Sequence, residues 1–253
     1  HVTVENLDIH GGGGIGVMIV DGSQFVTVRN CEVRNGLAGV QVQGADALSI
    51  SIENCDIHDN DYAGIWFDGA IAAAGQEIRV AGNAIWRNGQ QGILLNGSWV
   101  VVDANTVVNN GLSGLPGLSG IHVLGDSAID PAGHHNTITG NTVAWQRDGS
   151  SVDGNGIMLD HWSGNTLVSG NLVFGNDGCG ISVFSSSNNI VRDNTVHDNM
   201  VDAGGTHVAG RAEIFLGETT VAPGLSTGNI ITGNTAAADS TYGVAVQVDG
   251  AAA

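Results

Sequence analysis

Lysine is absent from the sequence, and proline and cysteine occur only three times each. No run of apolar residues reaches the roughly 20 that a membrane-spanning helix needs, so we expect no membrane insertion. Only seven arginines oppose 25 acidic residues, which gives a formal net charge of −18. A chain this acidic repels phosphate backbones, and we therefore expect no nucleic-acid partner.

Three cysteines are too few for a disulfide framework. Cys31 and Cys55 each follow an asparagine at the same place in successive repeats, so we expect them to be stacked neighbours. Two small buried thiols are favoured over a disulfide at this position. Cys179 is predicted to be structural, because no basic neighbour is present to lower its pKa.

Glycine is abundant, with 40 residues, and 42% of the chain is hydrophobic, which excludes general disorder. Two short signals recur along the chain. The first is an asparagine after a β-rich triplet, at positions Asn6, Asn30, Asn54, Asn83, Asn105, Asn141, Asn171, Asn194 and Asn234. The second is a glycine followed by an isoleucine or valine strand, at Gly16, Gly39, Gly64, Gly92, Gly120, Gly156, Gly180 and Gly243, with Glu213 as the non-glycine member.

These signals define about nine repeats, each with two or three short strands and no helical periodicity. Apolar residues alternate within the strands, as in Ile65 and Phe67, which predicts one buried face. Glycine and asparagine tolerate the left-handed backbone of tight corners. Asparagines stacked on successive repeats would also pair buried backbone groups. We therefore expect each repeat to be one coil of a β-solenoid, with Val244 and Val246 pointing inward in the last.

The repeat resembles the right-handed parallel β-helix of the pectate-lyase-like superfamily, over nearly all 253 residues. The resemblance implies an all-β, single-domain fold of about nine rungs spanning residues 1–253. The sequence opens inside a repeat, from which we expect the N-terminal cap to be missing. That superfamily includes lyases, hydrolases, epimerases and phage tailspikes, so the resemblance implies a secreted or periplasmic carbohydrate-active protein and leaves its chemistry open.

Longer intervals between the repeats predict inserted loops at 70–77, 111–119, 126–135, 145–155, 199–212 and 217–228. Most fall on rungs five to eight. Loops held by a rigid scaffold commonly carry function, so the site is expected there.

Outward positions of the glycine–isoleucine strands form two columns that mix apolar, aromatic and polar side chains. Such a mixture suits an oligosaccharide groove, because sugar rings present both apolar faces and hydroxyls. The alternative is a surface packed beneath the loops. Candidate substrate-binding residues are Trp66, Asp68, Asn96, Trp162, Phe184, Phe215, Arg211 and Glu213. Glu213 beside Arg211 is either a buried structural pair or part of a subsite.

Asp160, at the end of the strand that starts at Gly156, is the central catalytic candidate because titratable residues crowd around it. The full catalytic set is Asp160, Asp153, Asp126, Asp130, His161 and His122. The seven-residue spacing of Asp153 and Asp160 is similar to that of the aspartate pair in β-helical lacto-N-biosidases. If Gly156 to Asp160 is fully extended it spans about 13 Å, so Asp153 must fold back to reach Asp160, and Asp126 or Asp130 is an alternative partner.

Cleavage of a glycosidic bond by two carboxyl groups around Asp160 is the leading hypothesis. The alternative is a uronan lyase or C5-epimerase, in which Ca²⁺ is a possible cofactor, since Asp160-His161 also resembles the Asp-Tyr strand end of mannuronan C5-epimerases. Their Asp-Pro-His motif is absent, because Asp130-Pro131 is followed by Ala-Gly-His134. A non-catalytic glycan-binding or adhesion solenoid is a third hypothesis. No metal site is predicted, because the histidines lack regular ligand spacing.

Overall fold

The computed structural model describes residues 1–125, 132–148, 153–201, 212–218, 226–238 and 244–250. These residues form three parallel sheets of nine strands each. Strands of the first sheet are Val2–Glu5, Val26–Arg29, Ser51–Glu53, Ile78–Ala81, Val100–Asp103, Thr137–Thr139, Leu167–Ser169, Ile190–Arg192 and Ile230–Thr232. Strands of the second are Asp8–His10, Glu32–Arg34, Asp56–His58, Ala84–Trp86, Thr106–Val108, Thr142–Ala144, Leu172–Phe174, Thr195–His197 and Thr235–Ala237. Strands of the third are Ile15–Ile19, Ala38–Ala45, Ile65–Ile71, Ile93–Ser98, Ser119–Val123, Asn155–Leu159, Ile181–Phe184, Ile214–Gly217 and Val246–Val248.

The chain visits the three sheets in turn, and each strand pairs with the strand of the same sheet in the next turn. This is a right-handed parallel β-helix of nine rungs, as the sequence repeat predicts. No helix in the described ranges is long and apolar enough to cross a bilayer.

The core is a stack of aliphatic side chains inside the coil. The inward pairs predicted in the third sheet are fully buried from rung three to rung seven, from Ile65 and Phe67 to Ile181 and Val183. The prediction for the last rung is confirmed for Val246, which takes the inward column, and is wrong for Val244. Val246, not Val244, pairs with Ile214, and it is 48% exposed because no further described rung covers it.

Stacked amides line one corner of the coil, between the first and second sheets. In each step, the backbone N–H and side-chain amide of one asparagine donate to the Oδ1 of the next, at 2.9 Å for both bonds from Asn83 to Asn105. This first ladder runs through Asn83, Asn105, Asn141, Asn171, Asn194 and Asn234. Each step pairs a buried backbone N–H that the sharp corner would otherwise leave without a partner.

The first three asparagines of the repeat do not belong to this ladder, which corrects the sequence alignment by one residue. Asn6, Asn30 and Asn54 adopt a positive φ at the corner itself. The ladder column at those rungs holds Leu7, Cys31 and Cys55, as the strand register shows.

Cys31 and Cys55 are therefore stacked neighbours, as expected, and both are free and buried. The Cys55 thiol donates to the carbonyl of Glu53 at 3.3 Å, which is the contact an asparagine amide makes on later rungs. Burial raises the pKa of the Cys55 thiol to about 11, so the group is protonated at neutral pH.

A second ladder lines the corner between the second and third sheets. It runs through Asn60, Asn88, Asn110, Gln146, Asn176 and Asn199. Its next member is Glu213, whose carboxylate accepts from the backbone and side-chain amides of Asn199 at 3.2 and 2.5 Å.

Candidate functional site

Asp160 is placed by the end of a third-sheet strand. Its backbone N–H continues the hydrogen-bonded pairing of the third sheet by donating to the carbonyl of Val123 at 2.8 Å. Its own carbonyl accepts from Ser163, which closes a tight turn over His161 and Trp162. The turn is anchored on the rung below, where the Gly125 N–H donates to the carbonyl of His161 at 3.0 Å.

Two imidazoles meet the Asp160 carboxylate, one at each oxygen. His122, on the adjacent rung, places Nε2 3.2 Å from Oδ2. His161 places Nδ1 2.5 Å from Oδ1, and its backbone N–H donates to the same oxygen at 2.8 Å. The structure thus brings together three of the six predicted catalytic residues.

The carboxylate of Asp160 is ionised at neutral pH. Burial raises the pKa of Asp160, since only 13% of its side chain is exposed, but the hydrogen bonds and positive charge supplied by His122 and His161 outweigh it. The net effect is a pKa below the ordinary aspartate value.

The two histidines differ in access. His122 is almost fully buried, and its Nδ1 has no hydrogen-bond partner within the described part of the chain. His161 has 30% of its side chain exposed. Because its Nδ1 faces Asp160, Nε2 is the nitrogen left for a ligand. Of the two histidines, His161 is therefore the one that a substrate can reach and that can act as a base.

Aromatic side chains border His161. The Phe184 ring meets the imidazole edge-on at 5.3 Å between centroids, and Trp162 lies at 5.7 Å. Phe215 on the next rung stacks on Phe184 at 6.3 Å but is itself buried. Phe184 and Trp162 form apolar walls that a sugar ring can contact.

Asp153 is not brought to Asp160. It precedes the strand Asn155–Leu159, whereas Asp160 follows it, and four extended steps separate those strand ends by about 13 Å. The Asp153 carboxylate accepts from the N–H of Gly117 at 3.0 Å, at the far edge of the sheet. It therefore holds a loop of the rung below. Asp126, Asp130 and Arg211 lie outside the described residues.

Glu213 does not reach the outward face. Its carboxylate is fully buried in the second ladder, so the structure gives it a structural position and corrects the expectation of a subsite residue. Burial raises the pKa of Glu213, although the hydrogen bonds from Asn199 oppose the rise.

The outward columns are only partly a groove. In one column Leu94, His122, Met158, Ser182 and Phe215 are all buried, which matches the alternative of a packed surface. The other column stays half-exposed at several rungs, with Asp68, Asn96 and Phe184. Column assignments hold in the register except at the last rung, where Gln247 rather than Ala245 pairs with Phe215.

Trp66, Asp68 and Asn96 form the lower part of this face, on rungs three and four. Asp68 pairs with Asn96 in register and accepts from the side chain of Gln41 at 3.2 Å. Trp66 is half-buried, with the Tyr62 ring edge-on at 5.2 Å. These side chains lie on the same outward face as Asp160, two to three rungs away.

Gly125 is a site residue that the sequence reasoning missed. A Cβ at this position would lie 2.9 Å from the backbone of Trp162, so a larger residue would push the turn that carries His161. The only sequence signal is a glycine two residues after the end of the strand Ser119–Val123. In the described ranges, no group of three or more His, Cys, Asp or Glu side chains is arranged to hold a metal ion.

Comparison with known proteins concerns the fold. A family model described as "right handed beta helix region" matches residues 1–155 and 116–252. Comparison with curated proteins finds no match.

Solved structures similar to this chain share the coil at low identity. The A-module of mannuronan C-5 epimerase AlgE6 from Azotobacter vinelandii aligns with a TM-score of 0.64 and 18% identity, over 98% of this chain and 68% of that chain. The periplasmic alginate epimerase AlgG aligns with a TM-score of 0.62 and 18% identity, over 93% and 54%. An alginate lyase from Paenibacillus sp. str. FPU-7 aligns with a TM-score of 0.54 and 16% identity, over 99% and 98%.

Proposed function

The chain belongs to the right-handed β-helix family, and from that premise we propose that it is an enzyme that modifies a uronic-acid polysaccharide by proton transfer. His161 is the base, and Asp160 orients it. The observation that carries the proposal is the contact between Nδ1 of His161 and Oδ1 of Asp160, which leaves Nε2 of a partly exposed imidazole for the substrate.

The chemistry follows from the tautomer. With the proton on Nδ1, favoured there by the charge of the adjacent Asp160 carboxylate, Nε2 carries a lone pair and can accept a proton. The proton next to a uronate carboxylate, at C5, is the acidic one. Its removal is followed either by departure of the C4 oxygen, which takes up a proton and leaves a C4–C5 double bond, or by return of a proton to the opposite face of C5.

Hydrolysis, the leading hypothesis from the sequence, needs a second carboxyl group within about 5 to 10 Å of the first. Asp153 is held at the other end of the strand. Two histidines and one carboxylate suit proton transfer better than glycosidic hydrolysis, and for this reason elimination or epimerisation is preferred. Hydrolysis would depend on Asp126 or Asp130.

Similar solved structures support this choice, since they include mannuronan and alginate epimerases and an alginate lyase. Proton removal at C5 also requires the uronate carboxylate to be neutralised, and Ca²⁺ carried in with the substrate would do so in an acidic groove. Polysaccharides are met outside the cytoplasm, which fits the proposed secretion to the periplasm or beyond.

The test is a reaction screen with alginate, polygalacturonate and a neutral galactan, with and without chelator. Ultraviolet absorbance of the double bond reports elimination, loss of the C5 proton signal in D₂O reports epimerisation, and new reducing ends without absorbance report hydrolysis. We expect elimination or exchange on a uronan. His161→Gln should lower the rate by about 10²–10⁴-fold.

Asp160→Asn should lower kcat with little change in KM, because it removes the group that orients the imidazole. His10→Gln, at an exposed histidine on rung one, is the matched control and should retain the wild-type rate. New reducing ends without absorbance would transfer the assignment to hydrolysis. Absence of any turnover would favour a glycan-binding solenoid.

A further inference from the structure

Trp145 occupies a costly backbone position at a corner of rung six, directly after the strand Thr142–Ala144. Its φ is 56°, in the left-handed region that bulky side chains avoid, at a cost of order 1 kcal/mol or more. Apart from Arg87, the other left-handed members of this corner column are glycine, asparagine or aspartate: Asn35, Asp59, Asn109, Gly175 and Asp198. Tryptophan at this position therefore lowers the stability of the fold relative to glycine, asparagine or aspartate, and the geometry of the turn does not explain its presence.

The neighbouring rung leaves room for the indole. A Cβ on Gly175 would lie 2.8 Å from Cδ1 and Nε1 of Trp145, so only glycine permits the observed ring position. The Phe174 ring meets the indole edge-on at 5.2 Å, and His197 stacks on Phe174 at 5.5 Å with an interplanar angle of 7°. Trp145, Phe174 and His197 thus form one aromatic row across three rungs, which we term the corner row.

The corner row is open to solvent and has polar neighbours. Trp145 is 43% exposed. Arg147, two residues on, is partly exposed and pairs with Asp177 at 2.7 Å, and His197 binds the exposed carboxylate of Asp198 at 2.7 Å. An aromatic surface bordered by hydrogen-bonding groups is suited to a sugar ring, which has both apolar faces and hydroxyls.

A second tryptophan shows what a purely structural indole looks like in this fold. Trp99 also has a left-handed φ, of 60°, at another corner. Its ring is covered by His135, stacked at 4.5 Å with an interplanar angle of 14°. Trp145 has only the edge-on contact with Phe174 among the ring contacts of the described chain, so no ring is stacked on its exposed part, which is left for a ligand.

We propose that the corner row is a second glycan-binding site, which holds a distal stretch of the polysaccharide on which the Asp160 site acts. This inference rests on the proposed function for the identity of the ligand. The corner row is separate from the Asp160 site. On rung six, Trp145 lies before the third-sheet strand Asn155–Leu159, whereas Asp160 lies after that strand. A protein partner would need roughly 800 Å² of surface, far more than one indole and its neighbours supply.

The experiment measures binding of long alginate, polygalacturonate and galactan chains by affinity electrophoresis and calorimetry, using full-length protein with the His161→Gln substitution to prevent turnover. Adding Trp145→Asn should weaken binding of at least one polymer by about fivefold or more, in line with one lost stacking contact. Asparagine tolerates the left-handed corner, so this variant should fold and be at least as thermostable as its parent. Trp99→Asn is the matched control and should bind like the parent.

Turnover separates the two proposals. With wild-type His161, Trp145→Asn should retain kcat on short oligosaccharides and lose efficiency only on long chains. Unchanged binding of every polymer by Trp145→Asn, or absence of binding by the parent, would overturn the corner-row site. Binding that depends on Trp145 without turnover of any polymer would keep this site and overturn the proposed function.

Discussion

Glu213 stands where the second ladder would hold its next amide, and its charge is poorly placed there. Burial raises the pKa of Glu213. Because the folded-state pKa exceeds that of the unfolded chain, the protonated group stabilises the fold below the unfolded pKa, near 4.3. That contribution is lost as pH rises through the raised value. We expect Glu213→Gln to raise the melting temperature at pH 7, by a gain of about 1 kcal/mol in unfolding free energy.

Glu213→Gln should stabilise the fold because a glutamine already occupies another position of this ladder, where Oε1 of Gln146 accepts from the Asn110 N–H at 3.2 Å. At pH 4, where Glu213 is largely protonated, the difference between variant and wild type should shrink. Glu213→Ala is the control, and it should destabilise the fold at both pH values because it leaves Asn199 without its acceptor. A melting temperature for Glu213→Gln below that of wild type at pH 7 would show that the carboxylate is required.

At the residue scale, the sequence predicted that Asp160 lies beside His122 and His161, but it did not predict the position of Glu213. His161 adjoins Asp160 in the chain, and repeat counting alone places His122 one rung below. The separation of Asp153 from Asp160 was expected, because five extended residues lie between them, and the structure keeps Asp153 at the other end of that strand. Glu213 could not be placed, because its role depends on an amide ladder that no local pattern specifies.

The first ladder begins only at Asn83. On the two rungs below, the same column holds the thiols of Cys55 and Cys31. The N–H of Cys55 donates to Oδ1 of Asn83, so the column continues downward with the weaker hydrogen-bonding group. We expect Cys55→Asn to extend the ladder by one rung and to raise the unfolding free energy by about 0.5–1.5 kcal/mol. Chemical denaturation followed by circular dichroism would measure it.

The control for that gain is Cys55→Ala, which removes the thiol without adding an amide and should be less stable than wild type. Equal stability of the asparagine and alanine variants would mean that the corner at Cys55 cannot accommodate the amide. The thiols also explain the one-residue error in the repeat alignment. Asparagine is favoured both at the left-handed corner and in the ladder one residue later, so the sequence pattern alone cannot distinguish the two columns.

For the molecule as a whole, nine rungs and three sheets could be predicted because every repeat obeys the same steric rules. The end of the coil could not, since Val246 pairs two residues later than the pattern suggested and faces no described rung above it. Repetition defines the interior of a solenoid and leaves its terminal rungs to non-repeating sequence.

Net charge determines how the stability of the whole coil depends on salt, because 25 acids against seven arginines leave most carboxylates without a cation. Exposed pairs such as Arg29–Glu5 and Arg79–Asp103 each contribute about 0–1 kcal/mol, and salt weakens them. Salt also screens repulsion among the unpaired acids, over a Debye length of about 10 Å at 0.1 M. The acids outnumber the pairs, so we expect the melting temperature to rise between about 20 mM and 500 mM NaCl. Asp21→Asn combined with Asp46→Asn, at two exposed positions, should reduce that rise. A melting temperature that falls with salt would mean that the few ion pairs outweigh the repulsion.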